Sequence, residues 1–178
     1  MTHATATPIS TPDASTPTEA TRFLGTYLRE HATTLKVLRA FPMSRADFRP
    51  HERSSDAKQL AWTFVVEERL MAKALKHEQI LGGGFPSAPA SWEEVLDAFN
   101  ATHDEIVALL SDPRNGALDG TATFFSGPKQ TADFPTAEFL WFLLMDQVHH
   151  RGQLSVYVRM AGGKVPSIYG PSADEPWF

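Results

Sequence analysis

The chain has 178 residues, 42% of them hydrophobic, and a formal net charge of −5. That is enough to close one hydrophobic core, and neither Lys nor Arg clusters into a stripe able to neutralise nucleic-acid phosphates or anionic membranes. There is no cysteine, which excludes disulfides, thiolate metal sites, iron–sulfur clusters and a cysteine nucleophile. No apolar run approaches the roughly 20 residues of a membrane span.

Residues 1–15 are rich in Thr, Ala, Ser and Pro, with neither a cationic start nor a continuous apolar run. They read as a flexible leader rather than a secretory signal, and a cytoplasmic protein with a single domain over residues 16–178 is expected. The first helix opens at Thr16-Pro17-Thr18-Glu19, where Thr caps, Pro suits the first helical position and Glu closes a capping box. Ala20, Phe23, Leu24, Tyr27, Leu28, Leu35 and Leu38 follow at helical spacing until Phe41-Pro42 stops the run. His31 lies beside that stripe and reads as a flanking histidine.

After a polar, turn-rich stretch, a second helix runs from Ser54 or Ser55 to about His77, with Leu60, Phe64, Met71, Ala74 and Leu75 on its apolar stripe. Thr63 and Glu67 share that side. Glu67 either enters the stripe or turns to water by a small rotation; Glu68 and Arg69 read as solvated. Leu81-Gly82-Gly83-Gly84-Phe85-Pro86 ends the helix. Ser91-Trp92-Glu93-Glu94 is a second capping box and opens a third helix to about Leu110 through Trp92, Leu96, Phe99 and Ile106. His103, at the stripe's edge, reads as structural. Residues 111–133 form a long connection in which residues 121–125 have β-propensity and read as a short extended arm.

The fourth helix spans residues 134–160, from Pro135 to a stop at Gly162-Gly163, and a Pro- and Gly-rich aromatic tail follows that is expected to pack back along the bundle. At about 100° per residue, Phe139, Leu143, Asp146, His150, Gln153 and Tyr157 fall on one stripe. An acid and an imidazole one turn apart on a core-facing surface are costly unless paired, hydrogen-bonded or bound to a metal. A second apolar surface, Trp141, Leu144 and Val148, marks the helix as central or interfacial and predicts a homodimer. His149 points about 100° away from His150 and reads as structural. Arg151 and Arg159 read as surface or interface partners of acids. Four amphipathic helices without a convincing sheet predict an all-α four-helix bundle. The connection after the second helix is long enough to cross the bundle, so helices two and three are free to run parallel.

The segment His149-His150-Arg151-Gly152-Gln153-Leu154-Ser155-Val156-Tyr157, followed by Val165-Pro166-Ser167-Ile168-Tyr169-Gly170, resembles the end of DinB/YfiT-like proteins. Leu60-Ala61-Trp62, Glu68 and Arg49-Pro50-His51 fit the same pattern. The resemblance implies up-down-down-up helix order, common dimerisation, and a divalent metal such as zinc or nickel. In that family one His of the second helix and a His-x-x-x-His pair of the fourth hold the ion. Some relatives, the mycothiol-dependent maleylpyruvate isomerase and the bacillithiol transferases, use a small thiol as cosubstrate. Others were named for induction by DNA damage, which implies a stress response and no DNA contact.

Carried onto this chain, the paired positions of the fourth helix are Asp146 and His150. The second-helix His falls on Thr63, whose neutral hydroxyl is a poor ligand. Three readings follow. A metal is held by Asp146, His150 and Glu67, with Gln153, Tyr157 and Thr63 around it, and serves a small-molecule transferase or hydrolase using water or an external thiol. Alternatively Asp146 and His150 form a metal-free hydrogen-bonded pair, supported by Tyr157 or Thr63, with His150 as general base. In the third, the pair is structural, in a non-catalytic, stress-related bundle that binds a small ligand or partner.

Overall fold

A computed structural model describes residues 17–112 and 116–178, so the expected leader over residues 1–15 lies outside the described residues. Four helices carry the fold: α1 (Glu19–Ala40), α2 (Ala57–Leu75), α3 (Trp92–Ser111) and α4 (Thr136–Met160). Local chemistry sets their starts. Asp56 and Gln59 close a reciprocal capping box on α2, and Ser91 and Glu94 close the expected one on α3. Thr18, not Thr16, caps α1 through its hydroxyl, which accepts from the Thr21 amide, so Pro17 stands outside the helix. Thr16 itself is outside the described residues.

Two hydrophobic clusters fill the bundle, one at each end. In the first, Phe23 and Tyr27 of α1 and Phe139, Leu140, Leu143 and Leu144 of α4 meet Leu70, Met71 and Leu75 of α2 and Ile106 and Leu110 of α3. In the second, Val37 and Leu38 of α1 and Leu154 and Val158 of α4 meet Ala57 to Val65 of α2 and Trp92 to Phe99 of α3. The first halves of α1 and α4 therefore share an end with the second halves of α2 and α3.

The fold is not wholly helical. The arm expected over residues 121–125 is one strand of an antiparallel hairpin, β1 (Thr121–Gly127) with β2 (Gln130–Pro135). Alternation explains it: Ala122 is buried, and Phe124 packs on Phe139 of α4 at 5.2 Å between ring centroids. Pro128-Lys129 turns the chain with Lys129 at φ 59°. The hairpin closes over the first turns of α4 and brings Phe124 to the bundle surface beside α2.

The second apolar surface expected on α4 is occupied within the chain. Trp141 meets Phe23 edge-on and donates its indole N–H to Glu19 at 2.7 Å, and Leu144 is buried against α1 and α2. The tail packs back as expected. Arg159 pairs with Asp174, and Lys36 of α1 with Glu175. Arg151 does not face the surface: its guanidinium is buried, ion-paired to Glu30 at 2.6 Å, hydrogen-bonded to Thr34, and stacked over the ring of Tyr169 in the tail.

Where α4 runs out against the end of α1, a Cβ on Gly163 would lie 2.9 Å from the Ala40 carbonyl oxygen, Pro42 Cδ and Val158 Cγ1. One of those atoms is backbone and the other two are packed. Gly152, in the middle of α4, has open space where its Cβ would be. Gly163→Ala is expected to lower stability by about 1–3 kcal/mol through overpacking. Gly152→Ala should raise it by about 0.5–1 kcal/mol through helix propensity. Thermal or urea unfolding of the two variants checks both signs.

Candidate metal centre

Two consecutive acids of α2, Glu67 and Glu68, are both buried, at 4% and 0% exposure. Neighbouring positions on a helix point about 100° apart, so they enter different surroundings. Glu67 faces α4 and Glu68 faces α1 and α3.

On the α4 side, Glu67 Oε1 lies 2.9 Å from His150 Nδ1, and Asp146 Oδ1 lies 4.0 Å from that same nitrogen. Each of the three residues offers a ligand atom within 4.8 Å of the others. Glu67 thus enters the apolar stripe instead of turning to water. Burial is the main cause that raises its carboxyl from the ordinary 4.5 to about 7, with the Asp146 charge adding to it and the His150 contact opposing it. His150 is raised in turn, chiefly by its hydrogen bond to Glu67. The imidazole is oriented by Glu67 and not by Asp146, so the expected Asp146–His150 hydrogen-bonded pair is absent: 4.0 Å is too long for one.

The remaining expected site residues divide. Thr63 borders the same cavity, yet its hydroxyl is spent on the Gln59 carbonyl at 3.2 Å. Gln153 is exposed and pairs with His149 at 2.8 Å, away from His150. Tyr157 reaches past the site and donates its hydroxyl to the Ser55 carbonyl at 3.1 Å. Glu67, Asp146 and His150 open into a cavity of about 340 Å³ between α2, α4, the hairpin and the loop after α2.

Does this donor set suit a metal ion? Glu67 Oε2 is buried without any hydrogen-bond partner. An orphaned carboxylate oxygen is expensive unless a proton or a cation meets it. Two carboxylates and one imidazole balance the charge of a dication and match the oxygen-and-nitrogen preference of zinc, nickel and similar ions. The residues fit the group.

On the other side of α2, Glu68 sits in a cluster that sequence reasoning missed by reading it as solvated. Tyr27 donates its hydroxyl to Glu68 Oε1 at 2.7 Å, and His31 Nδ1 lies 3.1 Å from that oxygen. His103 stacks on His31 with ring centroids 3.6 Å apart and planes 21° apart. Burial holds both imidazoles down to about 4 and raises the Glu68 carboxyl well above the ordinary range. His31, Glu68 and His103 also offer atoms within 4.8 Å of one another. Rings that lie nearly parallel aim their in-plane lone pairs along parallel planes, so the two nitrogens do not converge on one ion. Glu68 Oε1 instead accepts from Tyr27 and shares a hydrogen bond with His31 Nδ1, while Glu68 Oε2 stays without a partner. The partners lie 41 and 37 residues away in sequence, and no local pattern announced them.

The comparisons with known proteins place the chain in a family and support its fold. The DinB family model matches residues 17–177. The chain belongs to the DinB family. An uncharacterised protein, YrdA of Bacillus subtilis, is 51% identical over 88 residues, a match spanning 49% of this chain and 50% of that protein. The matched segment thus covers about half the length of that curated relative. A DinB-like protein from Bacillus cereus superposes with a TM-score of 0.67 at 23% identity, over 83% of this chain and 95% of that one. The DinB-like protein YjoA from Bacillus subtilis does so at 0.62 and 18%, over 80% and 94%. These two likenesses establish the helical bundle. No helix of the described residues is long and apolar enough to cross a membrane.

Glu68→Ala would strand the Tyr27 hydroxyl and the His31 nitrogen in a dry core and is expected to cost about 3 kcal/mol or more. Glu68→Gln keeps a neutral donor and acceptor there and should cost about 1 kcal/mol. Urea unfolding at neutral pH separates the two; equal losses would mean that Glu68 is ionised in the native state.

Proposed function

We propose that this DinB-family chain is a divalent-metal-dependent small-molecule transferase or hydrolase whose ion is held by Glu67, Asp146 and His150. The observation that carries the reading is the buried, unpartnered Glu67 Oε2 beside Asp146 and His150 at the floor of a ligand-sized cavity. When bound, a dication supplies Lewis acidity and lowers the pKa of water or a thiol at neutral pH. The protein does the rest. Glu67 fixes His150 through its 2.9 Å contact. Asp146, whose side chain is 38% exposed against 5% for Glu67, is the more solvent-accessible of the two carboxylates. The aromatic side chains Trp62, Phe85, Phe124 and Phe142 give that end an apolar approach.

Because the chain has no cysteine, any thiol nucleophile comes from outside, and a low-molecular-weight thiol is the cosubstrate this reading favours. Helix order is up-down-down-up, supported by the sharing of ends among the four helices. One domain over residues 16–178 and a cytoplasmic homodimer complete the reading. An exposed apolar strip on α4, Phe142, Met145, Val156 and Met160, supports the dimer.

Protein purified without a polyhistidine tag is expected to carry or take up about one zinc or nickel ion per chain, measured by elemental analysis. His150→Ala and Glu67→Ala should each weaken binding by about a hundredfold or more. Equal metal content in wild type and both variants would sink this assignment and leave a non-catalytic, stress-related bundle as the better account.

Loading also competes with protons. The Glu67 carboxyl is held up at about 7 and His150 is raised as well, so both carry protons that the ion must displace at neutral and lower pH. Affinity should therefore weaken as pH falls below 7, by about tenfold or more per unit. Competition titrations against a chelator between pH 8 and 5.5 test the slope, and a flat profile contradicts it.

A further inference from the structure

The walls of the cavity say what kind of molecule it accepts. We propose that the ligand has an uncharged, chiefly aromatic body and a single polar head directed at the Glu67, Asp146 and His150 end. The inference rests on reading that cavity as the substrate chamber.

Trp62, Phe85, Phe124 and Phe142 supply four aromatic walls, and Val66 and Leu143 complete an apolar lining. The side-chain donors of the wall outside the three ligand residues are already used. The Trp62 indole N–H donates to the Pro86 carbonyl at 2.7 Å, and the Thr63 hydroxyl donates to Gln59. Away from the Glu67, Asp146 and His150 end the side-chain walls thus offer a ligand no free donor and, at the Thr63 oxygen, only an acceptor. Among the described residues that line the cavity there is neither Lys nor Arg. The nearest guanidinium along α2, Arg69, lies over the Trp62 ring at 4.8 Å and borders, with Lys73, an adjoining groove on the far side of Phe85 and Pro86. An anionic group on the body would be desolvated with no cation to meet it and two carboxylates nearby. A cationic body would find its only counter-charges at the head end, where a dication already neutralises them. Volume sets the size: about 340 Å³ is at the small end of ligand cavities, roughly 300–1,000 Å³. That suits a molecule of two or three rings.

A matched pair of fluorescent probes isolates the charge: N-phenyl-1-naphthylamine, which is neutral, and its 8-sulfonate, which has the same body and one negative charge. The full chain, metal-loaded and metal-stripped, is titrated with each. The neutral probe should brighten saturably at one site per chain, and the sulfonate should bind about tenfold more weakly or worse. Phe142→Arg places a cation at the half-exposed mouth and should shift the ratio toward the sulfonate. Thr63→Phe fills the chamber and should abolish binding of the neutral probe, with unchanged circular dichroism showing that the bundle is intact. Sulfonate binding as tight as neutral binding in the wild type, or neutral binding untouched by both substitutions, overturns the inference. Metal content is read on the same samples. Discrimination that persists in a protein taking up no metal upholds the ligand class and removes the metal assignment, while one ion per chain without probe preference does the reverse.

Discussion

The structure depends on α2 carrying two consecutive carboxylates into the interior. Each would cost several kcal/mol if left charged and unpaired, so everything around α2 must answer for them. Glu68 is answered by Tyr27, His31 and His103 from α1 and α3. Glu67 is answered by His150 and Asp146 of α4, and each of the two acids keeps one buried oxygen without a hydrogen-bond partner. What separates these adjacent positions is access: Glu67 opens onto a cavity of about 340 Å³, and Glu68 is fully buried.

Geometry explains why the open one faces α4. The residues of α4 that are buried are Thr136, Phe139, Leu140, Leu143, Leu144, Gln147, Arg151, Leu154 and Val158. Projected at about 100° per residue, their centre lies roughly 80° around the helix from the stripe through Asp146, His150, Gln153 and Tyr157. Asp146 and His150 therefore occupy the edge of the buried face. An edge position removes enough water to perturb Glu67 yet leaves a cavity against the hairpin and the loop after α2. A central position would have sealed the groups as Glu68 is sealed.

The same offset accounts for what was legible in the sequence and what was not. Caps, stripes and stop signals located the four helices within a few residues, because those signals are local: Ser91 with Glu94, and Gly162-Gly163. Helical periodicity singled out Asp146 and His150 on α4 and Glu67 on α2, and the resemblance then matched its paired helix-four positions to Asp146 and His150. Gln153 and Tyr157 were misassigned because α4 is apolar on its outer side as well, at Phe142, Met145, Val156 and Met160. With apolar residues all round, periodicity cannot say which face is inward. Glu68 and Arg151 failed for another reason. A buried charge is tolerated by its partners, and Glu30, which meets Arg151, is 121 residues distant in the chain.

That failure also shows how Thr63 comes to stand where the family resemblance implies a histidine. A ligand set is constrained by the charge and reach of its members more than by their positions. Moving one donor a turn along α2, from Thr63 to Glu67, keeps it on the side facing α4. Exchanging an imidazole for a carboxylate, and doing so again at Asp146, adds negative charge that a dication offsets but an empty cavity does not. On the proposed reading, two carboxylates and one imidazole would make a different site from one built on three histidines, more dependent on an ion and more sensitive to protons. It would also be less hospitable to any ligand that brings a negative charge of its own.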